Sequence, residues 1–581
     1  MMLSEAMRST ITPRVALGIF LIASGILIQL KPGSLRGALL SNDANDLAAL
    51  RKGLKGPTRA AEEAASMIHE AMRTHASEVR IEAKDLYFGE SLLNITGAVN
   101  IRIVFHPARG AAFSTLWFKV GGGVLLEDCT NVTLEGVAID FAPTVAQGRV
   151  VSIGSVESPK YDAFLLADFD PRFLNPSAMQ DSSRGHDVKV ALFHPGRHLN
   201  MVRPENSDKP INIWVRGKAE PVAAGIPHSR LRFKVPLKQH WATLLTESGQ
   251  PHWNMTGYPV ALWEATGRHS LTLKGCTEVT VMNVTIFGGS NMGVVEKAGR
   301  GGNRFIRVRV DRRPAPWADG AERYLSVNGD GFHSVALARG PLFVESHVGF
   351  VGEDCVNVRA QMHVLIGLSS DRETAYLSGD PFDVGKFSEA HDTVSFFDFR
   401  TMEHLADATI AGVPSRDSSS SFAGKLRKAF STMQSKPTNA KFVASVGTDP
   451  DALGGTAVVR VPLVDAVPKG VPTYALATLS STSNTRAVVK DSDLHDCYGR
   501  GVGIKAGKFR LEDCKLSRAA GVQIGPRRER LEGQPDLRDV RITGCTLSSL
   551  GRPIFDVDRS IKTHSAAALV LKPNRVDSTY L

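Results

Sequence analysis

A short strand pattern that returns once per coil is the strongest constraint on what this chain can fold into. VKDSDL (489–494) recurs as LEDCKL (511–516), 22 residues later, and again as ITGCTL (542–547) after a loop at 527–536. Earlier in the chain, LEGVAI (134–139) matches VMNVTI (281–286). Each copy has an apolar residue at its first and sixth positions, with polar or small residues between. Strands this short, recurring at 22–25 residues with Gly and Asn at the corners, cannot bury an apolar face alone and must stack coil on coil. The fold class expected is therefore all-β, a right-handed parallel β-helix. A β-sandwich would recur about every 8–12 residues with alternating polarity, and no sustained run of that kind occurs in these coils.

Residues 58–77 are rich in Ala and Glu, and Ala61, Ala65, Ile68 and Met72 recur at helical spacing. This predicts an N-terminal helix capping the first coil, since a solenoid end has to be covered. Cap and first coils occupy 55–145. The coil rhythm breaks at 146–245, where VKVALF, INIWV and LRFKV alternate like antiparallel strands. It resumes at 246–366, breaks again at 367–480 with AYLSG, TVSFFDF, KFVASV and AVVRVPL, and returns at 481–575. Two antiparallel β (barrel-like) modules inserted in the solenoid are expected, the second carrying a Ser/Lys-rich excursion at 416–441.

The chain has 581 residues, too many for one ordinary core but not for a solenoid, which adds coils as one unit. Its formal charge of +10 is mild for this length and does not by itself indicate nucleic acid. An anionic glycan or a membrane surface fits equally well. Val15 to Leu30 is apolar apart from Ser24 and Gln29, with Arg8 and Arg14 before it and Lys31 after. Residues 1–35 thus read as a cleaved signal peptide or a short signal anchor, with the bulk of the chain translocated into the secretory pathway. The lack of a clean small-x-small site after the run favours the anchor. Sequons at Asn94, Asn131, Asn254 and Asn283 permit that localisation. The six cysteines include no CxxC pair, which argues against a zinc ribbon or redox motif. Cys514 and Cys545 share one position of the repeat and are expected to stack as thiols, with a bridge as the alternative.

Two segments carry the candidate chemistry. They are NGDGFH (328–333) and GEDCVNV (352–358). Asp330 precedes Glu353 by 23 residues and Asp354 by 24, which is one coil. In a β-helix the three carboxylates would stack on neighbouring rungs, roughly 4.8 Å apart along the sheet. Hydrolysis of a glycoside needs one carboxyl as proton donor and another as base or nucleophile. Like charges this close raise at least one pKa. Gly329 and Gly331 would leave room for a sugar ring beside Asp330. His333 could orient a carboxylate or bond a hydroxyl, and Arg500 could reach an anionic or hydroxyl-rich substrate. Asn357 reads either as part of an internal asparagine ladder or as a substrate contact. Neither a cofactor nor a metal is expected, because the acidic site lacks the Asp/Glu-rich loop of a calcium site.

NGDGFH followed by GEDCVNV resembles the NADGxH and GDDxxNVHG segments of glycoside hydrolase family 110. Similar stretches follow the same order: VTLEGVAIDFAPTVAQGRVVSI (132–153), RYLSVNGDGFH (323–333), the coils at 484–526, and RLEGQP (530–535) in place of an aromatic-Glu-x-Gly loop. The resemblance covers roughly 55–560. It implies an inverting, metal-independent α-galactosidase on a β-helix with inserted β modules, acting on an oligosaccharide or polysaccharide. Asp330, Glu353 and Asp354 take the places of the family's three catalytic aspartates, and His333, Asn357, Arg359, Arg500 and Glu532 fall in substrate-binding positions. Three residues depart from the pattern: Glu353 replaces an aspartate, Arg359 a histidine, and Leu531 an aromatic. Other readings compatible with these residues are a galacturonan hydrolase or lyase, and an inactive glycan-binding β-helix protein.

Overall fold

The computed structural model describes residues 55–109, 111–155, 163–179, 188–193, 255–314, 322–378, 392–417, 458–527, 531–535 and 537–548. It also describes shorter stretches at 30–31, 34–39, 213–214, 219–222, 231–237, 554–558, 569–572 and 575–577. Three long sheets run through it, of 12, 10 and 9 strands. Beyond the antiparallel pair at one end of the first, they are built of parallel pairings between successive coils. The chain visits the sheets in fixed rotation. Leu342–Val344 lies in the first, His347–Gly349 in the second and Val356–Arg359 in the third. This is the expected parallel β-helix.

The repeat sets the register. Val489, Leu511 and Ile542 stack in one column of the first sheet, and Leu494, Leu516 and Leu547 in one column of the second. All six are at most 1% exposed, so the apolar pair of each copy forms the core. On the third sheet Phe332 points inward, with ring centroids 4.8 Å from both Phe305 and Phe343. Ser334 also points inward and donates to Glu296, which is fully buried and takes a second hydrogen bond from Asn303 Nδ2 at 2.9 Å. Burial pushes the Glu296 carboxyl up to about 7, against the Ser334 and Asn303 bonds. The free thiols of Cys514 and Cys545 are buried in neighbouring coils, as stacking requires.

The helix α1 (Arg59–Arg73) buries Ala61, Ala64, Ile68 and Ala71 over the first coil. Ala65 and Met72 are only partly buried at the edge of that face. Leu30–Lys31 and Ser34–Leu39 extend the first sheet, the latter parallel to Glu78–Ala83. The expected leader or anchor run at 15–30 otherwise lies outside the described residues, as do KFVASV and 418–441. Among the described residues no helix is long and apolar enough to cross a membrane.

Among the described residues, each inserted module is a seven-stranded antiparallel sheet. The first leaves between the second and third sheets and spans Val145 to Trp263; its last strand, Pro259–Trp263, lies beyond residue 245 and pairs back to Val145–Ser155. The second leaves between the third and first sheets and spans His363 to Leu479. The first module therefore stands at the same corner of the solenoid as the acidic motifs.

Candidate active site

The acidic residues sit at the corner between the second and third sheets, not on the sheet face. Gly331 N–H donates to Asp354 O at 2.9 Å, and Cys355 N–H donates to Arg500 O at 2.8 Å. Asp330, Asp354 and Arg500 thus occupy equivalent positions on three successive coils, although the second module separates the last two in sequence. The flanking glycines serve this corner rather than a sugar. A Cβ at Gly331 would overlap Val348 inside the coil, and one at Gly329 would meet Met292. The expected stacking of the carboxylates on neighbouring rungs of the sheet is corrected in place: Asp330 and Asp354 stack coil on coil, but at the corner, and each carboxylate turns to partners of its own.

Asp330 is 4% exposed. Its Oδ1 accepts from Asp354 N–H at 2.9 Å; its Oδ2 lies 2.7 Å from His333 Nδ1 and accepts from Asn357 Nδ2 at 3.3 Å. Burial pushes its pKa up, but the His333 bond and charge, the Asp354 amide and the Lys505 cation together hold it below the ordinary aspartate range. Asp354 turns toward Arg500, accepting from its N–H at 2.7 Å and from Nη1 at 3.1 Å. Glu353 points to the first module, where it pairs with Lys189. Its side chain keeps 37% of its surface open to solvent. Burial raises its pKa, Lys189 opposes this, and the charges of Asp330 and Asp354 add to the rise.

Parallel register brings the neighbours together. His333, Asn357 and Gly503 form one outward column of the third sheet, and Val335, Arg359 and Lys505 the next. Asn357 is therefore outside the solenoid and bonded to Asp330, whereas Asn303 and Asn484 are fully buried. Arg359 Nε donates to His333 Nε2 at 3.2 Å. A guanidinium can only donate, so in the neutral His333 ring the proton sits on Nδ1, aimed at Asp330. Glu532 is tied to the buried amine of Lys505 at 2.7 Å. Leu531, where an aromatic platform was expected, packs instead on a cluster with Met362 and Phe397.

Sequence reading missed Lys189, Lys505 and His269. Lys505 was within reach, since it follows Gly503 by two residues and is in register with Arg359. Lys189 carried no signal because it comes from an insertion. His269 lies at the same corner, and burial, with His333 and Lys297 adding, lowers its pKa to about 4. Cys355 and Cys497, also missed as a pair, form a disulfide with Cα atoms 5.5 Å apart. That bond staples the coil of Asp354 to the coil of Arg500. Trp263 of the first module meets Tyr498 edge-on at 4.9 Å, anchoring the module beside the corner. A separate cleft of about 330 Å³ lies between the second module and the solenoid, lined by Phe397, His404, Asp407, Lys508, Gln534 and Arg538; Asp330, Glu353 and Asp354 are not part of it.

Asp330, Glu353 and Asp354 each face a fixed donor or cation. Such an arrangement suits proton transfer better than an oxygen cage for a hard cation. No protein-family model matches the chain, and no curated protein matches it. Among solved structures, one titled "Glycoside hydrolase" aligns over 85% of this chain and 85% of its own, at 8% identity and a TM-score of 0.26. At that similarity the fold rests on the strand pairing described above and not on the likeness.

Proposed function

We propose that this protein is a secretory-pathway or membrane-anchored inverting glycosidase that removes terminal α-linked galactose, or a related sugar, from a glycan. The observation that carries this reading is the opposite tuning of two carboxyls at one corner: Asp330 held low, Glu353 pushed high. Environments that separate two pKa values suit one group to act as base and the other as acid. Glu353, the more accessible, protonates the glycosidic oxygen. Asp330 takes the proton of the attacking water on the opposite face of the ring. His333 and Asn357 hold the Asp330 carboxylate, and Asp354 anchors Arg500, whose guanidinium faces the substrate side. The motif resemblance supports galactose as the sugar. The disulfide and the exposed sequons at Asn94, Asn131 and Asn283 fit an extracytoplasmic location.

A second reading follows from the cations at the corner. Lys189 pairs with Glu353 and Arg500 with Asp354, and Arg359 and Lys505 stand in the adjoining column bonded to His333 and Glu532, a setting suited to an anionic sugar. Reducing-sugar release from α-1,3-linked galactosyl oligosaccharides and from polygalacturonate, measured side by side, separates the two. Turnover of the first supports galactosidase action, and turnover of the second alone replaces it with a galacturonan hydrolase. Saturable binding without turnover of either would mark an inactive glycan-binding protein.

A further inference from the structure

A second constellation stands on the outer face of the second sheet, one corner away from the acidic site. His347 is in register with Asp493, and Gly349 with His495. Val348 and Leu494 between them point into the core, so by the two-residue period His347, Asp493 and His495 share the outer face. Gly349 is part of the arrangement, because a Cβ there would run into the His495 ring. The missing side chain lets that ring lie across the strand toward His347. The two Nε2 atoms are 3.2 Å apart, and one ligand atom from each of His347, Asp493 and His495 falls within 4.8 Å of the others.

We propose that His347, Asp493 and His495 form a site for a divalent transition metal of the zinc class. Ligand atoms about 2.0–2.1 Å from a tetrahedral zinc lie roughly 3.3 Å apart, which is the spacing of the two Nε2 atoms. The outer shell fits as well. His495 Nδ1 is 2.7 Å from Asp496 Oδ2, and Asp496, 1% exposed, is gripped by Arg518 Nε at 2.9 Å and Nη2 at 2.7 Å. An acceptor fixed in this way keeps the His495 proton on Nδ1 and presents Nε2 as a lone pair, the carboxylate–histidine–metal arrangement. Arg309 pairs with Asp311, Arg518 with Asp496, and Arg312 lies over the Phe350 ring at 3.5 Å, while Lys515 stands in register with Asp493 on the next coil. Asp493 has no ion pair among the described residues and supplies the negative ligand. His347 Nε2 also lies 3.1 Å from Asp311 Oδ2. To bind the ion His347 would carry its ring proton on Nδ1 and turn the Nε2 lone pair from Asp311 to the metal. Two imidazoles and one carboxylate favour zinc over calcium or magnesium. The site is structural in character, since His495 leads within five residues through Cys497 to Arg500. A bound ion would brace the segment that places Arg500.

The test uses the full chain without a histidine tag, stripped with chelator and titrated with Zn²⁺ by calorimetry and with Co²⁺ by visible spectroscopy. One equivalent of Zn²⁺ and the d–d bands of tetrahedral Co²⁺ are expected. His347→Ala and His495→Ala should each abolish both signals, and Asp496→Asn should weaken binding about 10–100-fold. Asp493→Asn, which leaves the hydrogen bonds of Asp496 in place, provides a variant whose metal-free melting should stay close to wild type while binding is lost. Absence of stoichiometric binding by the wild type overturns the proposal, as does wild-type binding by the His347→Ala/His495→Ala double variant.

Discussion

The backbone N–H of Asp354 donates a 2.9 Å hydrogen bond to Oδ1 of Asp330, one coil away. Coil register and carboxylate orientation are therefore one feature, because the strand pairing that stacks the two coils also aims the Asp330 oxygens. Asp330→Asn keeps an oxygen for that amide but sets a new donor against His333 and Asn357. Activity should fall by about 10²–10⁴-fold, the worth of a positioned acid or base. Circular dichroism should show the fold retained, and steady-state kinetics should place the loss in kcat.

Opposite pKa shifts predict a bell-shaped pH–rate profile. The base must be ionised, so the acid limb falls as Asp330 protonates, below the ordinary aspartate range. The acid must be protonated, so the alkaline limb falls as Glu353 ionises, above the ordinary glutamate range. Lys189 favours the ionised form of Glu353. Lys189→Met should therefore shift the alkaline limb to higher pH and leave the acid limb in place. An unmoved alkaline limb would remove Glu353 from the role of acid.

Gly499 bears on the Asp354–Arg500 contact. A Cβ at this position would overlap Asp354 Oδ1 and the backbone between Glu353 and Asp354. Gly499→Ala should displace the Asp354 carboxylate and cost about 100-fold in kcat/KM, the usual penalty for a misplacement near 1 Å. Thermal melting monitored alongside distinguishes this from global unfolding.

Glu296 ties stability to pH. Its carboxyl is raised from 4.5 to about 7 in the folded chain, so the folded state holds a proton the unfolded chain has lost across that window. Stability should decline as pH rises from about 4.5 through 7 and then level off, by on the order of 3 kcal/mol. Glu296→Gln should abolish this decline. Its amide can donate to Ser334 Oγ, which in turn donates toward Asn484 Oδ1 at 3.3 Å. Chemical denaturation at several pH values measures the slope.

The solenoid was legible because its signal is periodic. An apolar pair every coil, as at Leu511/Leu516 and Ile542/Leu547, survives any local irregularity, and the same period linked Asp330 to Asp354. The interruptions were legible as a change of period, but not their edges: Pro259–Trp263 reads as buried strand in either context. What a single coil cannot encode was hidden. Lys189 reaches Glu353 from a separate sheet, and Cys355 meets Cys497 across a separation of 142 residues. Asn357 was ambiguous for a related reason, since inside and outside of a coil differ by one residue of register.

The central claim, that the corner of Asp330 and Glu353 cleaves a glycoside with inversion, is tested most directly by following the anomer released. Proton NMR of an α-1,3-galactosyl oligosaccharide incubated with the protein should show β-galactose appearing first, and Asp330→Asn should abolish it. First appearance of α-galactose, full activity in the Asp330→Asn variant, or no release by the wild type would contradict it.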